Sequence, residues 1–246
     1  MSTNSYKLKM SAKGTLFLIP TVLAEDTANA VICRQVAEVT AQLKYFMVEN
    51  ARTARRYIKS IAPTQVIEEL QITVIDKDSS DTELSAALKP LLAGQDGGVV
   101  SEAGCPGVAD PGAELARLAH QNGIKVVPLV GPSAILMGLM ASGFNGQSFA
   151  FHGYLPIEKW DRLQALRGLE KEMQQKDQTQ IFMETPYRNR QMIDDLLQNL
   201  SKDTKLCIAA NITGPNEFIQ TKTVANWKGK VPDLHKQPAV FLIYKR

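Results

Sequence analysis

Short apolar runs, each followed by a stretch of helical spacing, recur five times before residue 143, and this alternation restricts the fold more than any other feature. Gly14–Pro20, Lys44–Glu49, Ile72–Ile75, Gly97–Ser101 and Ile124–Leu129 read as strands. Helical periodicity follows each of them, over Thr27–Val39, Ala51–Ile61, Asp81–Leu92, Pro111–Gln121 and Pro132–Ser142. Pro63 brings the second helix to an end, and Pro132 stands in the first turn of the last, where its missing N–H costs nothing. Apolar strands alternating with crossover helices imply a parallel sheet.

The glycine- and asparagine-bearing stretch Gly143–Gln147 is the expected boundary, giving a parallel α/β domain over 1–142 and a second domain over 143–246. In the second, strands at Ser148–His152 and Thr179–Glu184 alternate with helices over Ile157–Gln175 and Arg188–Leu200. The rhythm then changes, because Leu206–Ala210, Glu217–Thr223 and Ala239–Tyr244 read as strands with little helix between them. A smaller mixed sheet is the expectation, and the fold class is two α/β domains with a cleft between them.

Composition narrows the function. The 246 residues are 44% apolar and 22% charged, enough to bury a core without disulfides. Cys33, Cys105 and Cys207 are odd in number and widely scattered, which argues for a reducing, cytoplasmic setting and against a thiolate zinc site. His120, His152 and His235 have no metal spacing either, so no metal is expected. Met1–Lys13 is polar, lacks a signal-peptide core and reads as a frayed end. The longest apolar run, Ala134–Ala141, is far short of the roughly 20 residues that cross a bilayer. Net charge is only +3, but it is segregated: residues 1–67 hold 9 basic and 4 acidic side chains, residues 68–83 hold 1 and 6.

Ligand sites of open α/β sheets lie beyond the carboxyl ends of the strands. The loop after the first strand, Pro20-Thr21-Val22-Leu23-Ala24, has no glycine, which counts against a dinucleotide-binding turn, and no Walker loop is present. The glycine-rich loop is instead Ser101–Gly112, whose three glycines and two prolines give a rigid backbone open to close approach. Within it, Asp110 before Pro111 suits a helix cap more than a ligand, whereas Glu102 serves equally as a structural acceptor or a ligand contact. Val130-Gly131-Pro132-Ser133-Ala134 reads as a tight turn that aims Ser133 at the same crevice. In Phe182-Met183-Glu184-Thr185-Pro186-Tyr187-Arg188, Glu184 and Arg188 form either a simple salt bridge or a pair directed at substrate.

The ordered set GTLFLIP, VSEAGCPGVADPG, VVPLVGPSA, SFAFHGYLP, IFMETPYR and QPAVFLIY resembles the tetrapyrrole methylase superfamily, the class III S-adenosylmethionine-dependent methyltransferases, and within it the branch that modifies small-subunit ribosomal RNA. The resemblance implies two α/β domains with the S-adenosylmethionine cleft between them, a homodimer, and no metal. It places Pro20, Gly104, Cys105, Val108, Ser133 and Ala134 at the cofactor, with Met183, Ala210, Asn211, Pro238 and Ala239 added by the second domain. A sulfonium with an adenine and a carboxylate suits backbone donors and apolar walls, and small residues admit it closely.

The same resemblance implies 2′-O-methylation of small-subunit rRNA, with ribosomal RNA or the small ribosomal subunit as partner. A ribose hydroxyl needs a proton acceptor, and Glu49, Glu102 and Glu184 are the candidates. Arg52, Arg55, Arg56 and Lys59 fall at i, i+3, i+4 and i+7, one face of one helix, and together with Arg188 they are the expected RNA contacts. An ordinary solvated face, or pairing with the acidic 68–83 segment, explains that stripe as well. The substrate loops depart from the family: Thr21–Asp26 lacks the glycine and asparagine of Thr-Pro-Ile-Gly-Asn-Leu, Asn50 replaces the aspartate of Ala-Glu-Asp-Thr-Arg, and Tyr187 the histidine of Ser-Pro-His-Arg. The chain also stops at Arg246, without the longer C-terminal extension common in that branch. Two other readings stay open, a methyltransferase of a tetrapyrrole or other small molecule and a nonenzymatic RNA- or ribosome-binding relative.

Overall fold

Both faces of the first sheet are apolar, so both must be covered. The computed structural model describes residues 12–245, and the expected frayed end, Met1–Lys13, lies outside them through residue 11. The chain divides into two compact units, one running to Val22 and then over Ala28–Pro132, the other comprising Leu23–Thr27 and the chain from Ser133 onward.

In the first unit the chain forms β1 (Thr15–Ile19), α1 (Ala28–Val31), α2 (Arg34–Gln42), β2 (Tyr45–Val48), α3 (Ala51–Ile61), β3 (Gln71–Val74), α4 (Asp81–Ala87), α5 (Lys89–Leu92), β4 (Gly97–Val100), α6 (Gly112–Gln121) and β5 (Lys125–Pro128). The sheet order is β3-β2-β4-β1-β5 and every pairing is parallel, as the alternation requires. Successive residues of β2 point to opposite faces. Phe46 and Val48 join Val36, Ala54 and Ile58 of α2 and α3, while Tyr45 and Met47 join Leu84, Leu91, Leu115 and Leu118 of α4, α5 and α6.

The expected helix boundaries are met at α3, where Asn50 accepts from the Arg52 and Thr53 N–H groups, and fail where one helix was expected and two form. Pro90 lacks the N–H that would continue α4, so the expected Asp81–Leu92 helix breaks at Leu88. The expected Thr27–Val39 helix likewise divides, with Cys33 extended between α1 and α2.

In the second unit lie α7 (Ala134–Ser142), β6 (Phe149–Tyr154), α8 (Lys159–Lys176), β7 (Thr179–Glu184), α9 (Asn189–Asn199), β8 (Lys205–Ala210), β9 (Phe218–Thr223), α10 (Val224–Trp227) and β10 (Ala239–Tyr244). The sheet is mixed, in the order β6-β7-β10-β8-β9, with β6 parallel to β7 and the other pairs antiparallel. Leu139 of α7 packs with Ile181, Cys207, Val240 and Leu242 on one face. Leu166, Met192, Leu196 and Trp227 of α8, α9 and α10 cover Phe182, Ile208 and Phe241 on the other. The compact units part between Pro132 and Ser133, because α7 packs on the second sheet, and both sheets have five strands.

Arg162 of α8 is 1% exposed and pairs with the buried Asp195 of α9, Nε and Nη2 lying 2.8 and 2.7 Å from Oδ2. Its Nη1 donates to the Pro156 and Ile157 carbonyls that lead into the same helix. Among the described residues no helix is long and apolar enough to cross a membrane, and no group of three or more His, Cys, Asp or Glu is placed to hold a metal ion.

Candidate functional site

At the carboxyl end of β1 the chain turns at Pro20, and four separate segments of the first unit meet there. The Tyr57 hydroxyl of α3 donates to the Pro20 carbonyl at 2.5 Å, and Thr21 N–H donates to the Gly104 carbonyl at 2.8 Å. Burial drives the Tyr57 hydroxyl far above its ordinary pKa, so it remains a donor. Gly104 takes φ of +75°, a conformation that glycine adopts without strain, and Ser101 Oγ also reaches its carbonyl at 3.3 Å. Cys105 Sγ lies 3.4 Å from the Pro132 carbonyl, which ties the glycine-rich loop to the turn after β5. In that turn Gly131 leaves no room for a side chain, since a Cβ would stand 2.2 Å from Cβ and 2.3 Å from Cγ of Pro20.

Pro20, Gly104 and Cys105 therefore lie close together, and Val108 stands 48% exposed on the same loop. Burial pushes the Cys105 thiol up, with the nearby Asp110 charge adding to it, which leaves a neutral thiol suited to packing and not to nucleophilic attack. Ser133 accepts from Leu136 N–H and so caps α7, while Ala134 packs into the core beneath that helix.

A second gathering forms in the other unit, where β7 and β8 end beside the start of β10. Ala239 pairs with Glu184 on one side and Ala210 on the other, and Val240 pairs with Met183. Asn211 N–H donates to the Pro238 carbonyl at 3.0 Å and its side chain donates to Gln237 Oε1 at 2.8 Å. Ala210 and Ala239 are core residues, 0% and 6% exposed, so their contribution is the close approach their small side chains allow. Just beyond them Asn211 and Thr213 take φ of +48° and +70°, and the Thr213 hydroxyl is buried without a hydrogen-bond partner. A β-branched residue in the left-handed region is strained, and such strain concentrates at ligand-holding loops. The sequence marked Asn211 but gave no signal for Thr213.

The three candidate carboxylates separate cleanly. Glu184 is buried at 4% exposure and engaged, its Oε1 accepting from Arg188 Nε and Nη2 at 3.0 and 2.6 Å and from Thr185 N–H at 2.6 Å. The salt-bridge reading of that pair describes the structure, and Arg188 is committed with it. Glu102 is exposed and accepts from the Thr53 hydroxyl at 2.5 Å. Glu49 is half-buried, holds one long contact, 3.3 Å from Glu102 N–H, and lines a cavity of about 830 Å³. Burial pushes its carboxyl up, opposed by that N–H and reinforced by the charges of Asp110 and Glu102. Asp110 Oδ1 accepts from Gly107 and Gly112 N–H at 2.7 and 2.6 Å, so it ties the loop to the start of α6 as a cap does. Burial raises its pKa despite those two bonds.

On α3 the basic stripe is exposed, opposite the buried Ala54 and Ile58. Arg52, Arg55 and Arg56 carry no side-chain hydrogen bond or ion pair among the described residues, and three of the six acids of the 68–83 segment are engaged elsewhere. Asp81 pairs with Arg117, Glu69 with Lys44, and Glu83 closes the capping box of α4. Lys59 differs: its ammonium donates to the Pro63 and Gln65 carbonyls at 2.8 and 3.1 Å, a structural use at the end of its helix.

A parallel and a mixed five-stranded sheet, each with strained or glycine-bearing loops gathered at its strand ends, define a two-unit α/β protein. Solved structures share this fold. The methyltransferase CobJ matches with a TM-score of 0.61 at 17% identity, covering 94% of each chain, and uroporphyrin-III-C-methyltransferase from Thermus thermophilus matches at 0.54 and 15%, covering 94% and 92%. Residues 22–227 match the Tetrapyrrole (Corrin/Porphyrin) Methylases, and the chain belongs to that family and is a methyltransferase. Similar curated proteins include the ribosomal RNA small subunit methyltransferase I of Vibrio cholerae, 27% identical over 232 residues, covering 93% of this chain and 76% of that protein. The protein of the same name from Pasteurella multocida is 35% identical over 159 residues, covering 63% and 55%.

Proposed function

We propose that this methyltransferase takes its methyl group from S-adenosylmethionine and delivers it to a ribose 2′-hydroxyl of small-subunit ribosomal RNA. The observation that carries the RNA reading is the row of three exposed guanidiniums, Arg52, Arg55 and Arg56, unpaired among the described residues, on the helix that begins directly after the strand end bearing Glu49. Arginine forks match phosphate oxygens, and an unpaired row of them has no structural task in the fold. The resemblance of the chain to proteins named as small-subunit rRNA methyltransferases supports the same acceptor.

The residues present fit the cofactor. The turn at Pro20 and Gly131 is sterically fixed, the Gly104 backbone is open, and the buried Thr213 hydroxyl lacks a partner next to Asn211. We assign Pro20, Gly104, Cys105, Val108, Ser133 and Ala134, together with Met183, Ala210, Asn211, Pro238 and Ala239, to S-adenosylmethionine. Bound there, it supplies an electrophilic methyl group on a sulfonium. The chain's own part is to hold the acceptor oxygen in line with that carbon, since positioning supplies much of the rate of such a displacement. A homodimer working in the cytoplasm completes this reading.

The test is methyl transfer from labelled S-adenosylmethionine to small ribosomal subunits and to free small-subunit rRNA, both from cells lacking this protein, with uroporphyrinogen III as the competing acceptor. Label recovered as a 2′-O-methyl nucleoside is the expected result. Label in the tetrapyrrole alone, or in neither, refutes the RNA assignment.

A further inference from the structure

The cavity of about 830 Å³ lies wholly within the first unit, and its wall is drawn from the segments that leave three adjacent strands. Glu49 and Asn50 follow β2, Asp76 and Lys77 follow β3, and Glu102 follows β4, with Asp110 and Glu114 closing the side toward α6. These are the carboxyl ends of a parallel sheet, where ligands of such sheets bind. The volume suits a nucleoside-sized group.

Three independent features point to an occupant. First, Asp110 Oδ2 is shielded from solvent and has no hydrogen-bond partner, although Oδ1 of the same group holds two. A buried oxygen left unpaired is costly unless something donates to it. Second, Glu49 spends only one long contact on the protein and keeps the rest of its acceptor capacity. Third, the free guanidiniums of Arg52, Arg55 and Arg56 lie on the helix that starts at Asn50, so the wall of the cavity and the basic face are parts of one rigid element. The loop forming the other wall, through Glu102, Gly107 and Asp110, is the one that carries Gly104, Cys105 and Val108 of the assigned cofactor set.

Resting on the RNA reading above, we infer that this cavity receives the acceptor nucleoside and that Glu49 takes the proton of the ribose hydroxyl that is methylated. In the step, the hydroxyl oxygen forms a bond to the methyl carbon, and the bond from that carbon to sulfur breaks with its electron pair remaining on sulfur. The hydroxyl proton passes to the Glu49 carboxylate and from there to solvent. Burial, reinforced by the charges of Asp110 and Glu102, makes the Glu49 carboxylate a stronger proton acceptor than an isolated glutamate, and Asp76, Glu114 and Lys77 are the other charged groups of the wall. Asp110 Oδ2 accepts from the base or sugar of the same nucleoside.

The experiment compares wild type, Glu49→Gln and Glu38→Gln for kcat and for its pH dependence, with labelled S-adenosylmethionine and small ribosomal subunits, and measures cofactor affinity by calorimetry. Loss of a positioned base costs about 10²-fold or more in rate. Glu49→Gln is expected to lose at least that, to flatten the acid limb of the pH profile, and to leave cofactor affinity within twofold. Glu38→Gln, at an exposed ion pair with Arg34 outside the cavity, is expected to stay within twofold of wild type. Should Glu49→Gln not fold, Glu49→Asp, which retracts the carboxylate by one methylene, is read in its place, with an expected loss of about tenfold or more. Wild-type transfer to RNA with either Glu49 variant keeping full rate and an unchanged pH profile overturns this inference alone. No transfer to RNA by the wild type overturns the acceptor reading and this inference with it.

Discussion

Replacing Arg52, Arg55 and Arg56 together by alanine removes three cations whose only visible task is outside the fold. Among the described residues none of them holds a side-chain partner, all three are exposed, and alanine is at least as good a helix former, so α3 keeps its cap, its buried Ala54 and Ile58, and its stability. What changes is counterion release. Each phosphate contact contributes about 0.7 to the slope of log affinity against log salt for single strands and about 0.9 for duplex, so three lost contacts lower that slope by about 2 to 3. Between about 50 and 200 mM salt, the wild-type advantage over the variant shrinks by roughly 20- to 40-fold. Lys59→Ala is the internal control, because an ammonium already bound to the Pro63 and Gln65 carbonyls has little left for phosphate, and its removal is expected to leave the slope unchanged while loosening the end of α3. Fluorescence anisotropy with a small-subunit rRNA fragment, taken across that salt range, reads both slopes. An unchanged slope in the triple variant, with wild-type thermal stability, would falsify the basic face as a phosphate-binding surface.

Three other changes test the fold and the sites. Gly131→Ala drives a Cβ into the Pro20 ring at 2.2 Å and is expected to cost about 1–3 kcal/mol as overpacking, lowering Tm by several degrees; Pro20→Gly in the same chain should restore most of it, and a cycle without coupling would refute the contact. Arg162→Met strands the buried Asp195 carboxylate and is expected to cost about 3–5 kcal/mol in urea unfolding, whereas adding Asp195→Leu should recover a large part. The native pKa of Glu49 is raised, so the native state binds the proton more tightly than the unfolded chain, and this group's contribution to stability falls as pH rises from the unfolded value of about 4.3 through the native one. Glu49→Gln should therefore gain stability relative to wild type at neutral pH and lose that gain below pH of about 4; equal unfolding midpoints at both pH values would contradict the burial assigned to it.

Most elements were legible because local signals agreed with tertiary packing. Asn50 and Pro63 bracket α3, and the alternation of apolar strand and periodic helix fixed the parallel sheet. The allegiance of α7 was not legible, since Ala-Ile-Leu-Met-Gly-Leu-Met-Ala-Ser is apolar on every side and has no face that names its partner; only the fit of Leu139 against Val240 and Leu242 decides it. Side-chain commitments were equally out of reach. Spacing showed that Glu184 and Arg188 could meet, and likewise that Lys59 shared a face with three arginines. It could not show that the first pair closes on itself or that Lys59 bends to two carbonyls. The cavity beside Glu49 was invisible for a different reason, because its wall is collected from loops far apart in sequence that only the order β3-β2-β4 brings together.

That cavity also accounts for a departure from the family resemblance that sequence alone left open. Where the run Ala-Glu-Asp-Thr-Arg has aspartate, this chain has Asn50, whose Oδ1 accepts from Arg52 and Thr53 N–H at 2.9 and 3.3 Å. Asparagine and aspartate cap helices about equally well, so the geometry of α3 does not depend on the choice. Charge does depend on it. Glu49, Asp76, Glu102, Asp110 and Glu114 already line that cavity, and a further carboxylate would add negative charge beside Glu49 and repel an approaching phosphate at the entrance to the basic helix. Asn50 keeps the cap and the position of Glu49 while removing one negative charge from the wall. Asn50 thus lowers the negative charge beside the proposed proton acceptor without altering the cap, which suits the proposed polyanionic acceptor.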